Sequence, residues 1–361
     1  WLFWCNHFAI IEKDEMPQFT TGPYHRETIR TNMCGSFETL LKEATLGWSM
    51  IHNLDNSESI GPHSEWGEWR RKKGKLATVN ENHARELLEL HTVSPASGYS
   101  QEDVVQLSYI MAGWEHKWTK KRLECNPVRF NQKKHEPGNH KVLNKKYKQR
   151  GLSPKNKLLD VLKDLAAHPD TRRFIAFKLC RHFITDIPSE EMIAPIISAW
   201  EKSGGNLPTI HKALLKVVYD HADKEAKFQN PEIWMLQMVH MVGGRWPLQA
   251  DEMEYNFKMK PNRHQRRPKY FMREIGYEPY RPIQPNGFSD LETDWISPEL
   301  LIRRMSAPKE IVNRNIRLQD FKIMIDKNFD NPEEMKNLIN NVKSSSTKMQ
   351  LLFPSYRMLK S

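Results

Sequence analysis

Apolar positions recur at three- and four-residue spacing along most of the chain, which predicts one amphipathic helix after another. Phe37, Leu40, Leu41, Ala44 and Trp48 make one stripe in 37–52, and helical patterns return at 81–92 and 101–113. In 155–167 the stripe is Leu158, Leu159, Leu162 and Leu165, ended by His168-Pro169; the next helix carries Phe174, Ile175, Leu179 and Phe183. Pro188-Ser189 opens a helix to Trp200 that Gly204-Gly205 stops, and Leu207, Ile210, Leu214, Val217 and Val218 line another. Asn230-Pro231, Ser297-Pro298 and Asn331-Pro332 each place a capping side chain before a proline, a helix-start signal, and Gly243-Gly244 is a stop. No strand of useful length alternates and no fixed period repeats. The pattern predicts an all-α (mostly α) fold: helix hairpins packed around one core as a single domain over 1–361, with long irregular loops.

Composition supports a folded chain. Of 361 residues 39% are hydrophobic and 10% aromatic, with 11 Trp, enough for a sizeable core despite a mean hydropathy of -0.71. No apolar run is long enough for a membrane helix. The cysteines, Cys5, Cys34, Cys125 and Cys180, are too scattered for a disulfide scaffold or zinc ribbon.

Charge is concentrated. Of a net +11, most lies in 117–150, where twelve Lys or Arg meet only Glu124 and Glu136. The segment 115–150 is therefore expected to be a basic loop insertion, either simply solvated or touching an anionic polymer. No helix-turn-helix, zinc finger or RNA-binding signature accompanies it, so nucleic acid ranks low. A second irregular stretch, 247–296, holds Pro247, Pro261, Pro268, Pro279, Pro282 and Pro285, and is expected to wrap the helical body.

The best candidate for chemistry is VNENHARELLELHT, 79–92. On a regular helix Asn82, Arg85, Glu86 and Glu89 share one face, with Ala84, Leu87, Leu88 and Leu90 opposite. Carboxylates at i, i+3 could hold a divalent cation or divide acid and base roles. Glu81–Arg85 and Arg85–Glu89 are equally the i, i+4 pairs of a solvated helix. His91 falls on the apolar arc, where a core histidine is commoner than a ligand. Asp55-Asn56 could orient a ligand or simply turn the chain. His135-Glu136-Pro137-Gly138, with His140 and Lys141, clusters titratable groups in the basic segment, where a histidine could be a base or a surface turn residue. The chain lacks GxSxG, HExxH, Walker and GxGxxG signatures.

These residues resemble a bacterial family, the domain-of-unknown-function family numbered 1800. NENHARELLELHT, GYSQEDV and AGW (80–92, 98–104, 112–114) are similar to its signature. WCNHF (4–8), GSFETLL (35–41), MIHNLDN (50–56), AAHPDTRRFIAFKLCRHFITD (166–186), PIQPNGF and LLFPSYRM (351–358) continue the likeness in order. The family usually has Tyr where His83 stands, and HDxGxK where this chain reads HEPGNH. Its members usually carry further helices before the first motif, so the chain is expected to begin inside the pattern.

The resemblance implies an exported, periplasmic or secreted protein of unassigned activity, encoded beside a phosphatase- or sulfatase-like partner. It raises Asp55, Asn56, Asn80, Asn82, Arg85, Glu86, Glu89 and His135 to one candidate site. In an enzymatic version Glu86 and Glu89 supply acid, base or metal-ligand functions, Arg85 orients an anionic or carbohydrate-like substrate, and His135 is a second base. The rival is a non-enzymatic binding or assembly partner.

Overall fold

The computed structural model describes residues 1–117, 127–149, 154–222, 227–241, 272–273, 275–278, 281–306, 318–329, 331–354 and 359–360. It is mostly α-helical, with two small antiparallel strand pairs among the described residues. The chain divides into two compact units. Unit 1 comprises 1–182, 188–220 and 280–288; unit 2 comprises 183–187, 221–279 and 289–361. Most of the proline-rich stretch 247–296 lies outside the described residues up to 280.

The helices of unit 1 follow from their stripes and caps. They are α1 (Leu2–His7), α2 (Met16–Pro23), α3 (Phe37–Thr45), α4 (Trp48–Asn53), α5 (Glu65–Lys72), α6 (Asn82–Glu86), α7 (Gln101–Met111), α8 (Asn156–Ala167), α9 (Pro169–Phe183), α10 (Glu190–Ser203) and α11 (Leu207–His221). The expected single helix over 37–52 is two, because Gly47 is extended (φ -63°, ψ 140°) between α3 and α4. A Cβ on Gly47 would stand 2.7 Å from the Tyr24 ring, so glycine lets the two helices fold back there. Ser36 caps α3 by accepting from Thr39 N at 3.1 Å. Gly204 and Gly205, both at positive φ, end α10 as expected, and Gly205 O accepts from Phe37 N at 2.9 Å.

The core of unit 1 gathers around Trp4, which packs on Phe8 and Phe37, while Phe37 meets Trp200 edge-on at 4.9 Å. Trp4 Nε1 bonds His211 Nε2 at 3.1 Å, so even the indole N–H is satisfied. Each such aromatic contributes roughly 1.5–3 kcal/mol by burial. The α8 stripe is shifted from expectation: Leu158, Val161, Leu162 and Leu165 are buried, Leu159 is only half-buried, and Lys157 is buried with them. On α9 the buried stripe is Thr171, Ile175, Ala176, Leu179 and Cys180, with Phe183 exposed.

The basic segment differs from the expected loop. Trp114–His116 (β1) pairs with Val128–Phe130 (β2), and His140–Val142 (β3) with Lys145–Tyr147 (β4). Three-residue strands are too short to print an alternation in sequence. The β3–β4 turn puts Leu143 and Asn144 at positive φ, and Leu143 N donates to Asp103 Oδ1 at 2.8 Å.

Unit 2 holds α12 (Pro231–Met241), α13 (Pro298–Ser306), α14 (Leu318–Asn328), α15 (Pro332–Asn340) and α16 (Ser345–Leu352). The three proline start signals fall where α12, α13 and α15 begin. Trp234 is fully buried with Nε1 donating to Phe353 O at 3.1 Å, and the buried Arg304 guanidinium lies 4.8 Å from the Phe228 ring centre. Among the described residues no helix is long and apolar enough to cross a membrane.

Candidate functional site

The signature segment is not one regular helix. After α6, Leu87–His91 forms a π-helical turn, and Ser94 N bonds back to Leu88 O at 2.9 Å. A wider turn displaces every side chain that follows it, so the i, i+4 arithmetic fails at Glu89. Glu81 and Arg85 do pair at 2.9 Å, but Glu89 accepts instead from Tyr99 Oη at 3.2 Å. Arg85 also donates to Gln101 Oε1 at 2.9 Å, and Gln101 Nε2 to Glu81 at 2.7 Å, closing a three-residue polar link from α6 to α7. Glu86 stays half-buried, and burial first, Glu89 second, hold its carboxyl above the usual range against the pull of Arg85.

The other sequence-derived residues have structural partners. Asp55, at φ 58°, forms an ion pair with Lys13. Asn56 is buried and donates to Trp114 O at 2.7 Å and Met111 O at 3.2 Å, tying the end of α7 to the loop after α4. Asn80 Oδ1 accepts from Asn82 N at 2.9 Å, turning the chain into α6. Glu86 feels the charges of Arg85 and Glu89, while among the described residues no hydrogen bond joins these three to Asp55, Asn56 or His135. Nor does any group of three His, Cys, Asp or Glu among those residues converge as metal ligands.

His135 belongs to a second, more buried cluster. The turn His135-Glu136-Pro137-Gly138-Asn139-His140 has its histidines and Glu136 at 4–6% exposure. His135 Nδ1 donates to Ala112 O at 2.9 Å, which leaves Nε2 as an acceptor, 3.4 Å from Lys157 Nζ. Lys157 also donates to Gly138 O at 2.8 Å, and Gly138 N to Gln149 Oε1 at 2.8 Å. Gly138 sits at φ +99°, where a side chain would be strained. Glu136 accepts from His63 N at 2.9 Å and His63 Nδ1 at 2.6 Å. Burial pushes the Lys157 ammonium down to about 8 and the His135 and His140 imidazoles down to about 4, Lys157 adding to the shift of both histidines.

His140 sets this cluster beside a groove. Gln106 Nε2 donates to Glu102 Oε1 at 2.7 Å, so Gln106 Oε1 faces His140 Nδ1 at 3.0 Å and fixes the proton there. His140 then lines an open groove of about 450 Å³ between the start of α7 and the β3–β4 hairpin, with Ser100, Gln106, Asn139, Asn144, Lys141 and Lys146 around it and Glu102 and Asp103 at the α7 side. Sequence reasoning had the turn but missed Lys157, Gln106 and the groove. The one signal was a lysine on the apolar stripe of α8, a turn before Val161.

A mostly helical protein with a polar groove beside a buried His–Lys cluster is the class that fold and site define. The chain belongs to the family described as Protein of unknown function (DUF1800), whose model matches residues 1–353. No curated protein and no solved structure matches it.

Proposed function

We propose that the chain binds a small anionic, carbohydrate-like molecule in the groove between α7 and the β3–β4 hairpin, in an extracytoplasmic setting. The lining of the groove carries this reading: the amide groups of Asn139 and Asn144 suit a polyhydroxylated ring, and Lys141 and Lys146, across from Glu102 and Asp103, suit its acidic group. The extracytoplasmic setting is supported by the family resemblance alone.

Calorimetric titration with galacturonate, glucuronate and a sulfated hexosamine tests it. Saturable binding that weakens with salt, and at least tenfold in a Lys141→Gln, Lys146→Gln variant, is the expected result. No saturation at millimolar ligand, or an unchanged affinity in the variant, overturns it.

A catalytic version has one observation in its favour. Lys157, brought near neutrality by burial, is hydrogen-bonded within the turn that carries His140. His140 itself binds a proton too weakly to be an efficient base at neutral pH, and its Nε2 is buried away from the groove.

A further inference from the structure

We infer that the exposed face of α5 is a docking surface for an acidic polysaccharide, with Trp66 and Trp69 as its sugar platforms. The inference rests on the groove reading above, extending it from one sugar to a chain.

Helix α5 inverts the usual amphipathic arrangement. Its one buried residue is Gly67, whose N–H is capped by Ser64 Oγ at 3.0 Å, while Trp66 and Trp69 are 41% and 52% exposed. Gly67 lies so close to the 61–62 backbone that no side chain fits there, which leaves the two indoles turned outward on one side of the helix. Their ring centres are 6.5 Å apart at an interplanar angle of 43°. A lysine lies beside each: Lys73 Nζ is 4.2 Å from the Trp69 ring centre, and Lys134 Nζ, already paired with Glu115 at 2.7 Å, is 5.6 Å from that of Trp66. Arg70, Lys72 and Lys75 follow on the same short stretch, and among the described residues none of the three is in an ion pair.

This combination selects its occupant. A uronate residue offers C–H bonds to an indole face and a carboxylate to the ammonium beside it, and successive residues would use successive platforms. The surface also joins the groove through one segment. Gly61 N donates to Lys134 O at 2.8 Å and Lys133 pairs with Glu65 at 2.7 Å, while the same chain runs on through Glu136 to His140.

Affinity electrophoresis through gels containing polygalacturonate, with dextran as control, tests the inference on the full chain. The protein should be retarded by polygalacturonate alone. Trp66→Ala, Trp69→Ala should weaken retention at least tenfold and Lys73→Gln a few-fold, while calorimetric galacturonate binding in the groove stays within twofold. Unchanged retention of the tryptophan variant overturns the inference and leaves the groove reading standing. Tryptophan-dependent retention by a protein that takes up no galacturonate overturns the groove reading alone. Equal or tighter capture by anionic vesicles or by oligo-dT would replace the polysaccharide with a membrane or a nucleic acid.

Discussion

Two clusters of buried histidines in unit 1 are built alike and differ in what lies beside them. In one, His7, His83 and His91 are each at most 2% exposed; in the other, His135 and His140 flank the 135–140 turn. Each holds an imidazole between a carbonyl and a lysine. His7 Nε2 faces His91 O at 3.3 Å and its Nδ1 faces Lys178 Nζ at 3.1 Å, just as His135 spans Ala112 O and Lys157. Burial pushes His83 and His91 down to about 3, further than His135 and His140. Among the described residues neither ring nitrogen of His83 or His91 has a hydrogen-bond partner; His140 Nε2 is likewise buried and unpartnered, but its Nδ1 meets Gln106 Oε1, which Glu102 orients at the edge of a groove. A depressed pKa therefore reports desolvation in both places; a tautomer fixed beside an opening distinguishes a site from a core.

The largest expected effect tests the first cluster as core. Unfolded imidazoles take up protons below about 6.5, while folded His83 and His91 resist until about 3, so stability falls as pH drops through that window. At pH 5 the loss is roughly 2 kcal/mol for each of these two groups. Denaturant midpoints at pH 7 and pH 5 measure it. His83→Tyr, which removes one of the two, should shrink the drop markedly; an unchanged drop would place the acid sensitivity elsewhere.

Next comes Lys157→Met, which keeps the volume and removes the charge. It leaves Gly138 O and His135 Nε2 without their donor, at a cost of about 1–3 kcal/mol for an orphaned buried group. Hydrogen exchange should quicken in 135–147 first, and the groove ligand should bind more weakly. A variant with full stability and affinity would reduce the second cluster to the status of the first.

A smaller effect separates tautomer from packing. Gln106→Ala removes the acceptor that holds the His140 proton on Nδ1, and groove affinity should fall by about 0.5–1.5 kcal/mol with little change in stability. Equal losses in affinity and stability would mean that Gln106 acts by packing.

Much of this fold was legible because local chemistry announces helix ends. Ser100 and Asp103 form the capping box of α7, and Pro231, Pro298 and Pro332 open helices as read. The π-turn at 87–91 was invisible, since its residues are ordinary helix formers. The strand pairs were hidden by their shortness. His135 and the turn stood out as titratable residues beside Gly and Pro, but what packs on them comes from α7, Ala112 and Phe130, with Lys157 of α8, all joined to the turn only by folding. Lys157 alone left a trace, a charge where the stripe wanted an apolar residue. Arg85 pairs with Glu81 as the spacing implied, while Glu89 bonds Tyr99 and Asp55, Asn56 and His135 went to other partners.

The smallest expected effect bears on α6. Glu86 is held above the ordinary carboxylate range by burial and by Glu89, so its ionised form is disfavoured in the folded state. That penalty is present above the folded pKa and disappears as pH falls and the group takes up its proton. Glu86→Gln should therefore stabilise the protein by a few tenths of a kcal/mol at pH 7, the size of a like-charge pair on a half-exposed helix, and by less at pH 5. Denaturation of this variant at both pH values measures the gain, and elemental analysis of the Glu86→Gln, Glu89→Gln double variant beside the parent covers the metal question. Destabilisation beyond about 1 kcal/mol, or a stoichiometric metal lost in the double variant, would reverse the comparison, since surface carboxylates of this kind are worth less than that. The signature helix would then be the organised site and the 135–140 turn its scaffold.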